Sequence, residues 1–151
     1  MQIDDGAPER LGVTMRLNHD EGAAMLARAA VRDLLADHAT TDELRHDAAL
    51  VVYELVSNAI THGLPEADGR VSLSYEVVDD DLVVVVTDGG HNGVVAISEL
   101  DREAARGRGL AIVDALASSW SVDRSDGTVI RAVVPLRWPE QSAAGQSSAA
   151  T

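Results

Sequence analysis

The sequence predicts an α+β fold. A two-layer sandwich is expected, with a mixed, mostly antiparallel sheet covered on one face by helices. Three observations carry this. Stretches with an apolar residue at every second position alternate with stretches of helical spacing. Their order reads strand, helix, helix, hairpin, glycine-rich loop, helix, hairpin, and strands that neighbour in sequence favour antiparallel ladders. The 151 residues are 46% hydrophobic, enough for one domain with its own core. No repeat or second domain is visible. The domain is expected over residues 10–138, between a flexible segment 1–9 and a disordered tail 139–151 rich in Ser, Ala, Gln and Gly.

Arg10 to Asn18 alternates through Leu11, Val13, Met15 and Leu17, as a half-buried strand does. Glu21 to His38 has helical spacing, with Met25, Ala29, Arg32 and Ala36 on one side and Leu26, Ala30 and Leu34 near it. Thr40-Thr-Asp-Glu43 fits a capping box, Thr40 being the N-cap and Glu43 reaching back. The helix it opens runs to about His62, where Gly63 ends it. Its buried side is expected to be Leu44, Ala48, Val52, Leu55, Val56, Ala59 and Ile60. After a loop at 64–69, Arg70 to Val78 alternates again. Asp79-Asp-Asp81 makes a polar turn, and the β-branched run Leu82 to Val86 suits a central strand. Asp88 stands where that strand ends, before Gly89, Gly90 and Gly93. Residues 94–106 carry many charges and weak helical signal. Gly107-Arg108-Gly109 opens a third helix, Leu110 to Ala117. Trp120 to Asp123 and Thr128 to Leu136 form a last hairpin about the Ser125-Asp126-Gly127 turn.

Composition excludes several classes. Without cysteine there is neither disulfide nor thiolate metal site. Without phenylalanine, and with two Trp and two Tyr, the core must be aliphatic. The five histidines show no ligand spacing. A net charge of −13 repels a phosphate backbone, so no direct nucleic-acid binding is expected. It would draw in a basic protein surface, or simply keep the chain soluble. No apolar run reaches membrane-spanning length, and the N-terminus lacks a signal-peptide profile; a cytoplasmic protein without membrane contact is expected.

Four short patterns carry chemistry. Glu54 and Asn58 lie four apart on one helix face, with His62 a turn further on. An amide oxygen can ligate Mg²⁺ when phosphates supply the remaining ligands, and a nearby carboxylate can accept a proton from an attacking hydroxyl. The same pair could equally be a solvated helix face. Asp88 emerges from a buried strand, where a carboxylate can accept a hydrogen bond from an exocyclic amine; a plain Asp-Gly turn is the alternative. Gly107 and Gly109 at a helix start leave backbone N–H groups open to an anion, with Arg106 and Arg108 in reach. Neither a P-loop nor a dinucleotide fingerprint is present.

Taken together these patterns resemble the GHKL (Bergerat-fold) ATP-binding family. Glu54-x-x-x-Asn58-Ala59-x-x-His62 is similar to its asparagine box. Asp88-Gly89-Gly90 is similar to its first glycine box, and Gly107-Arg108-Gly109-Leu110 to its second. Gly127-Thr128 through Pro135-Leu136 matches the closing strand. The last glycine of the first box is displaced, since Asp88-Gly-Gly-His91-Asn92-Gly93 replaces the usual Asp-x-Gly-x-Gly. The resemblance implies ATP and Mg²⁺ as cofactors. It implies that Asn58 coordinates the Mg²⁺, and that Glu54 is the general base or orients the nucleophile. Asp88 would read the adenine amine, with Thr128 helping directly or through water. Gly90, Gly93, Arg106 and His62 would line the nucleotide site, Gly107, Arg108, Gly109 and Leu110 would meet phosphate, and residues 91–106 would form a lid. Glu43-Leu-Arg-His46-Asp47 echoes a histidine-kinase phosphoacceptor, but His46 shares the helix of Glu54 and reads as a surface residue.

Within that family the Gly107 to Leu116 run is most similar to the stand-alone anti-sigma-factor serine kinases. This implies an enzyme that sequesters a sigma factor and phosphorylates an antagonist protein on serine, and a homodimer. The alternative is a non-catalytic ATP-binding module that holds a sigma factor or another signalling partner.

Overall fold

Eight elements account for residues 11–90 and 110–137, which the computed structural model describes. In chain order they are β1 (Val13–Asn18), α1 (Ala23–Leu35), α2 (Asp42–His62), β2 (Arg70–Val78), β3 (Asp81–Asp88), α3 (Ala111–Leu116), β4 (Ser119–Asp123) and β5 (Thr128–Pro135). The five strands form one sheet in the order β1-β2-β3-β5-β4. Every ladder among them is antiparallel, so the expected mixed sheet is wholly antiparallel here.

The valine run of β3 takes the centre, buried from Leu82 to Asp88. A strand enclosed on both faces has no need of alternation, which is why its sequence is continuous in apolar residues. Asp79, at φ 55, makes the turn from β2 to β3. A left-handed residue is what a tight hairpin of this hand requires, and Asp tolerates that conformation. The pairing places Thr87 opposite Ser72 and Asp88 opposite Thr128.

Helix α2 lies on the sheet and α1 packs on α2. Leu44, Ala48, Val51, Val52, Leu55, Val56 and Ala59 are buried on α2, close to the expected set; Ile60 is only partly covered. Helix α1 buries Ala23, Ala24, Ala27, Val31 and Leu35, while Met25 and Leu26 stand 56% and 63% exposed. The Met25–Ala29–Arg32–Ala36 stripe points outward. Small alanines allow α1 to lie close against α2.

The start of α2 is also displaced by one residue. Thr41 is the N-cap, and its hydroxyl accepts from the Leu44 amide at 3.1 Å. Glu43 therefore stands at the second helical position, where it cannot close a capping box. Thr40 has a separate task, donating its hydroxyl to the Leu136 carbonyl at 2.7 Å and tying the helix entry to the end of β5. The Arg45 guanidinium donates to the last-turn carbonyl of Leu35, closing α1. The segments 1–10, 91–109 and 138–151 lie outside the described residues, and with them the expected lid and tail.

Thr41→Ala is expected to lower stability by about 1 kcal/mol in urea unfolding, whereas Glu43→Ala should cost under about 0.5 kcal/mol. Equal losses would restore the capping box that the geometry rejects.

Candidate functional site

The C-terminal ends of α2 and β3 meet, and Gly63, Asp88, Gly90 and Thr128 come together at that junction. Asp88 closes β3 and is 3% exposed, the one buried acidic or basic side chain among the described residues. Its Oδ1 accepts the Gly90 amide at 2.7 Å. Thr128, buried across the ladder, hydrogen-bonds the same carboxyl group. Burial pushes the Asp88 carboxyl up to about 6, and the negative charge of Glu66 adds to that. The Gly90 amide, the His19 ring and the Thr128 hydroxyl act in the opposite sense.

Gly63 ends α2 with an extended backbone, φ −97 and ψ 166. Left-handed geometry is thus not the reason for a glycine. A Cβ at Gly63 would lie 2.3 Å from Asp88 Oδ2, so only hydrogen allows the carboxylate to seat against the helix end. Two backbone bonds lock the junction. The Leu64 amide donates to the Gly90 carbonyl, and the Gly89 amide donates to the Leu64 carbonyl, both at 2.7 Å. A Cβ at Gly89 would fall 2.1 Å from the Pro65 oxygen, so that glycine is required by the same close approach.

Along α2, Glu54, Asn58 and His62 follow at one-turn intervals. Asn58 is 7% exposed, which removes the solvated-face reading for this residue. A buried amide is costly unless its donors and acceptors are paired, so a polar side chain held here calls for a partner of its own. Glu54 is half-buried, and burial raises its carboxyl above the ordinary value. It is correspondingly a better proton acceptor once ionised. His62 is the last residue of the helix and half-buried.

Leu110, 2% exposed, precedes α3 and joins the core, and α3 packs against α2. Gly93, Arg106, Gly107, Arg108 and Gly109 lie outside the described residues. No group of three or more His, Asp or Glu side chains among the described residues converges to hold a metal. A divalent ion at this junction would need an oxygen donor such as Asn58 together with oxygens from its ligand.

Motif reading missed several contributors. His19 Nε2 donates to the Gly63 carbonyl, 3.1 Å away, and Glu66 acts on Asp88 by its charge. Leu64 and Pro65 wall the junction. No local pattern marks them; a proline two residues after a helix-ending glycine signals a turn, not its neighbours in space.

This arrangement, an antiparallel sheet carrying a buried aspartate at the end of its central strand and a long helix presenting a buried asparagine, defines an ATPase domain of the GHKL kind. The chain belongs to the histidine kinase-like ATPase domain family, whose model matches residues 17–134. The comparison with curated proteins returned no match. Among solved structures it resembles the RsbU and RsbW domains of Rv1364c from Mycobacterium tuberculosis, at TM-score 0.63 and 23% identity over 82% of this chain. It spans 32% of that chain, about a third of its length. It also resembles the SiaB–SiaC complex from Pseudomonas aeruginosa, at TM-score 0.60 and 15% identity, covering 83% of this chain and 90% of that one. At such identities the likeness is one of fold. No described helix is long and apolar enough to cross a membrane.

The Asp88 carboxyl makes stability depend on pH. Its folded value, about 6 against an ordinary 3.8, means that the folded state holds the proton more tightly. The stability it contributes is present below about pH 4 and is lost as pH rises through about 6, on the order of 3 kcal/mol in all. Asp88→Asn should remove that dependence. The melting temperature of the wild type minus that of the variant is expected to fall between pH 4.5 and 7.5, and a flat difference would show the carboxylate to be well solvated.

Proposed function

We propose that this chain binds Mg²⁺·ATP at the α2–β3 junction and acts as an anti-sigma factor and protein serine kinase. In this reading it sequesters a sigma factor and phosphorylates an antagonist protein. The observation that carries the proposal is the burial of two polar side chains, the Asp88 carboxylate at the end of β3 and the Asn58 carboxamide in the C-terminal half of α2. Membership of the histidine kinase-like ATPase domain family supports ATP as the ligand. The RsbW domain and the SiaB–SiaC complex among its structural neighbours support partner switching as the setting.

The residues fit the cofactor. An amide oxygen is a hard donor suited to Mg²⁺ when phosphate oxygens complete its shell, and the buried Asn58 side chain offers one. Bound Mg²⁺·ATP would supply the transferable phosphoryl group and the positive charge that offsets its oxygens.

This chain's residues then divide the remaining tasks. Asp88 accepts a hydrogen bond from the exocyclic amine of adenine, and Thr128 fixes the orientation of its carboxyl group. Asn58 holds the metal. Glu54, its basicity raised by burial, takes the proton from the serine hydroxyl of the partner or orients that hydroxyl. Gly107, Gly109 and Leu110 meet phosphate through backbone amides, with Arg106 and Arg108 adding charge. Gly90, Gly93 and His62 complete the nucleotide wall. The antagonist and sigma factor dock on the same domain, and a homodimer is the expected assembly.

Glu54→Ala is expected to lower phosphorylation of a co-purified antagonist by about a hundredfold or more, leaving nucleotide affinity within about threefold. Full-rate phosphorylation by the variant would overturn the base assignment. Asn58→Ala should weaken ATP binding about tenfold or more with Mg²⁺ present and little in EDTA, read by calorimetry. An unchanged Mg²⁺ dependence would remove Asn58 from the metal. A wild-type protein that binds no ATP at millimolar concentration would end the whole reading.

A further inference from the structure

Asp88 can discriminate between purines only if it is ionised and correctly placed. Adenine offers an amine donor to a carboxylate, whereas guanine offers a carbonyl acceptor at the same ring position, which a carboxylate repels. What holds Asp88 in place is the wall formed by residues 63–66. Gly63 seats one carboxylate oxygen, and Leu64 clasps Gly89 and Gly90 from the far side.

That wall is itself anchored from the edge of the sheet, fifty residues away in sequence. Arg16, on β1, directs one guanidinium nitrogen to Glu66 Oε1 at 2.7 Å and another to Asp68 Oδ2 at 2.5 Å. It also donates to Ser72 Oγ, and that hydroxyl reaches the same Glu66 oxygen at 3.2 Å. His19, just beyond β1, binds the Gly63 carbonyl at 3.1 Å. Edge strand, loop and aspartate thus form one connected series of contacts.

Resting on the ATP-binding reading above, we propose that Arg16 is a positioning residue that sets how selectively the site reads adenine, acting through Glu66 and the 63–66 wall on Asp88. Two effects run along the same path. Arg16 keeps the wall seated, and its positive charge offsets Glu66, the acidic side chain that acts on Asp88. The other groups acting on Asp88 are His19 from the β1–α1 connection, Thr128 from β5 and the Gly90 amide from its own loop. Removing Arg16 leaves Glu66 unopposed; neutralising Glu66 does the reverse. A surface ion pair that only stabilised the loop would behave differently, because losing either partner would then have the same sign.

The test is calorimetric titration of the full chain with Mg²⁺·ATP and Mg²⁺·GTP between pH 5 and 8. In the wild type, ATP affinity should fall on acidification as Asp88 takes up its proton. Arg16→Ala is expected to lower ATP affinity about threefold to fivefold at pH 7 with less effect on GTP, and to move the midpoint of the pH profile up by about half a unit. Glu66→Gln should move that midpoint down. Arg16→Lys, which keeps the charge, should restore the midpoint and recover only part of the selectivity. The proposal is overturned if Arg16→Ala matches the wild type in midpoint and ATP-to-GTP ratio, or if both variants weaken the two nucleotides equally with the midpoint fixed. Should Arg16→Ala fail to fold, an unmoved midpoint in Glu66→Gln overturns it alone. A wild type that binds ATP while the variants behave in either of those ways leaves the ATP reading standing; a wild type that binds neither nucleotide removes both.

Discussion

The close approach of the α2 C-terminus to the end of β3 is the constraint on which the rest depends. A buried carboxylate can sit at 3% exposure only where the chain around it has no side chains in the way. Gly63 and Gly89 supply that space, and the paired Leu64 bonds to Gly89 and Gly90 hold the two ends together. Loosening either end would let water reach Asp88 and dissolve the difference between this aspartate and an ordinary surface one. The central position of β3 follows from the same demand, since only a strand enclosed on both faces can deliver a carboxylate to its own end without exposing it.

Such a junction costs stability. Burial raises both Asp88 and Glu54 toward their neutral forms, and the Asn58 amide is held in the interior. None of these groups is required by the fold; an apolar side chain at each position would suit the core better. The aliphatic core offsets the penalty. Leu35, Leu55, Leu73 and Leu82, with the valines of β3 and α2, are enclosed almost completely between the helices and the sheet. The exposed outer stripe of α1 shows how little of the apolar content is needed elsewhere, since Met25 and Leu26 remain in water without harm to packing.

Much of this was legible in the residues. The uninterrupted run Leu82 to Val86 marked a central strand because burial on both faces erases alternation. The Glu54 to His62 pattern marked one helix face because four-residue spacing is geometry, independent of the rest of the chain. Other features were set by distant contacts. Helix α1 turns its alanines, Val31 and Leu35 inward and leaves Met25 and Leu26 exposed, an orientation that helical spacing alone does not decide. Thr40 looked like a cap because Glu43 stood three residues on, but Thr40 is drawn away by Leu136, ninety-six residues later. Gly63 ends α2 as expected, but with an extended backbone, its lack of a side chain being required by Asp88.

By itself, the sequence determined the order and type of the elements, the antiparallel character of the sheet and the family to which the motifs belong, because each of these rests on periodicity or on residues close together in the chain. Tertiary structure alone decided which side of α1 turns inward, why glycine stands at 63 and 89, that Arg16 meets Glu66, and that Glu66 and His19 act on Asp88. Those are contacts between segments tens of residues apart. No spacing rule encodes them, because they exist only once the ends of α2 and β3 have come together.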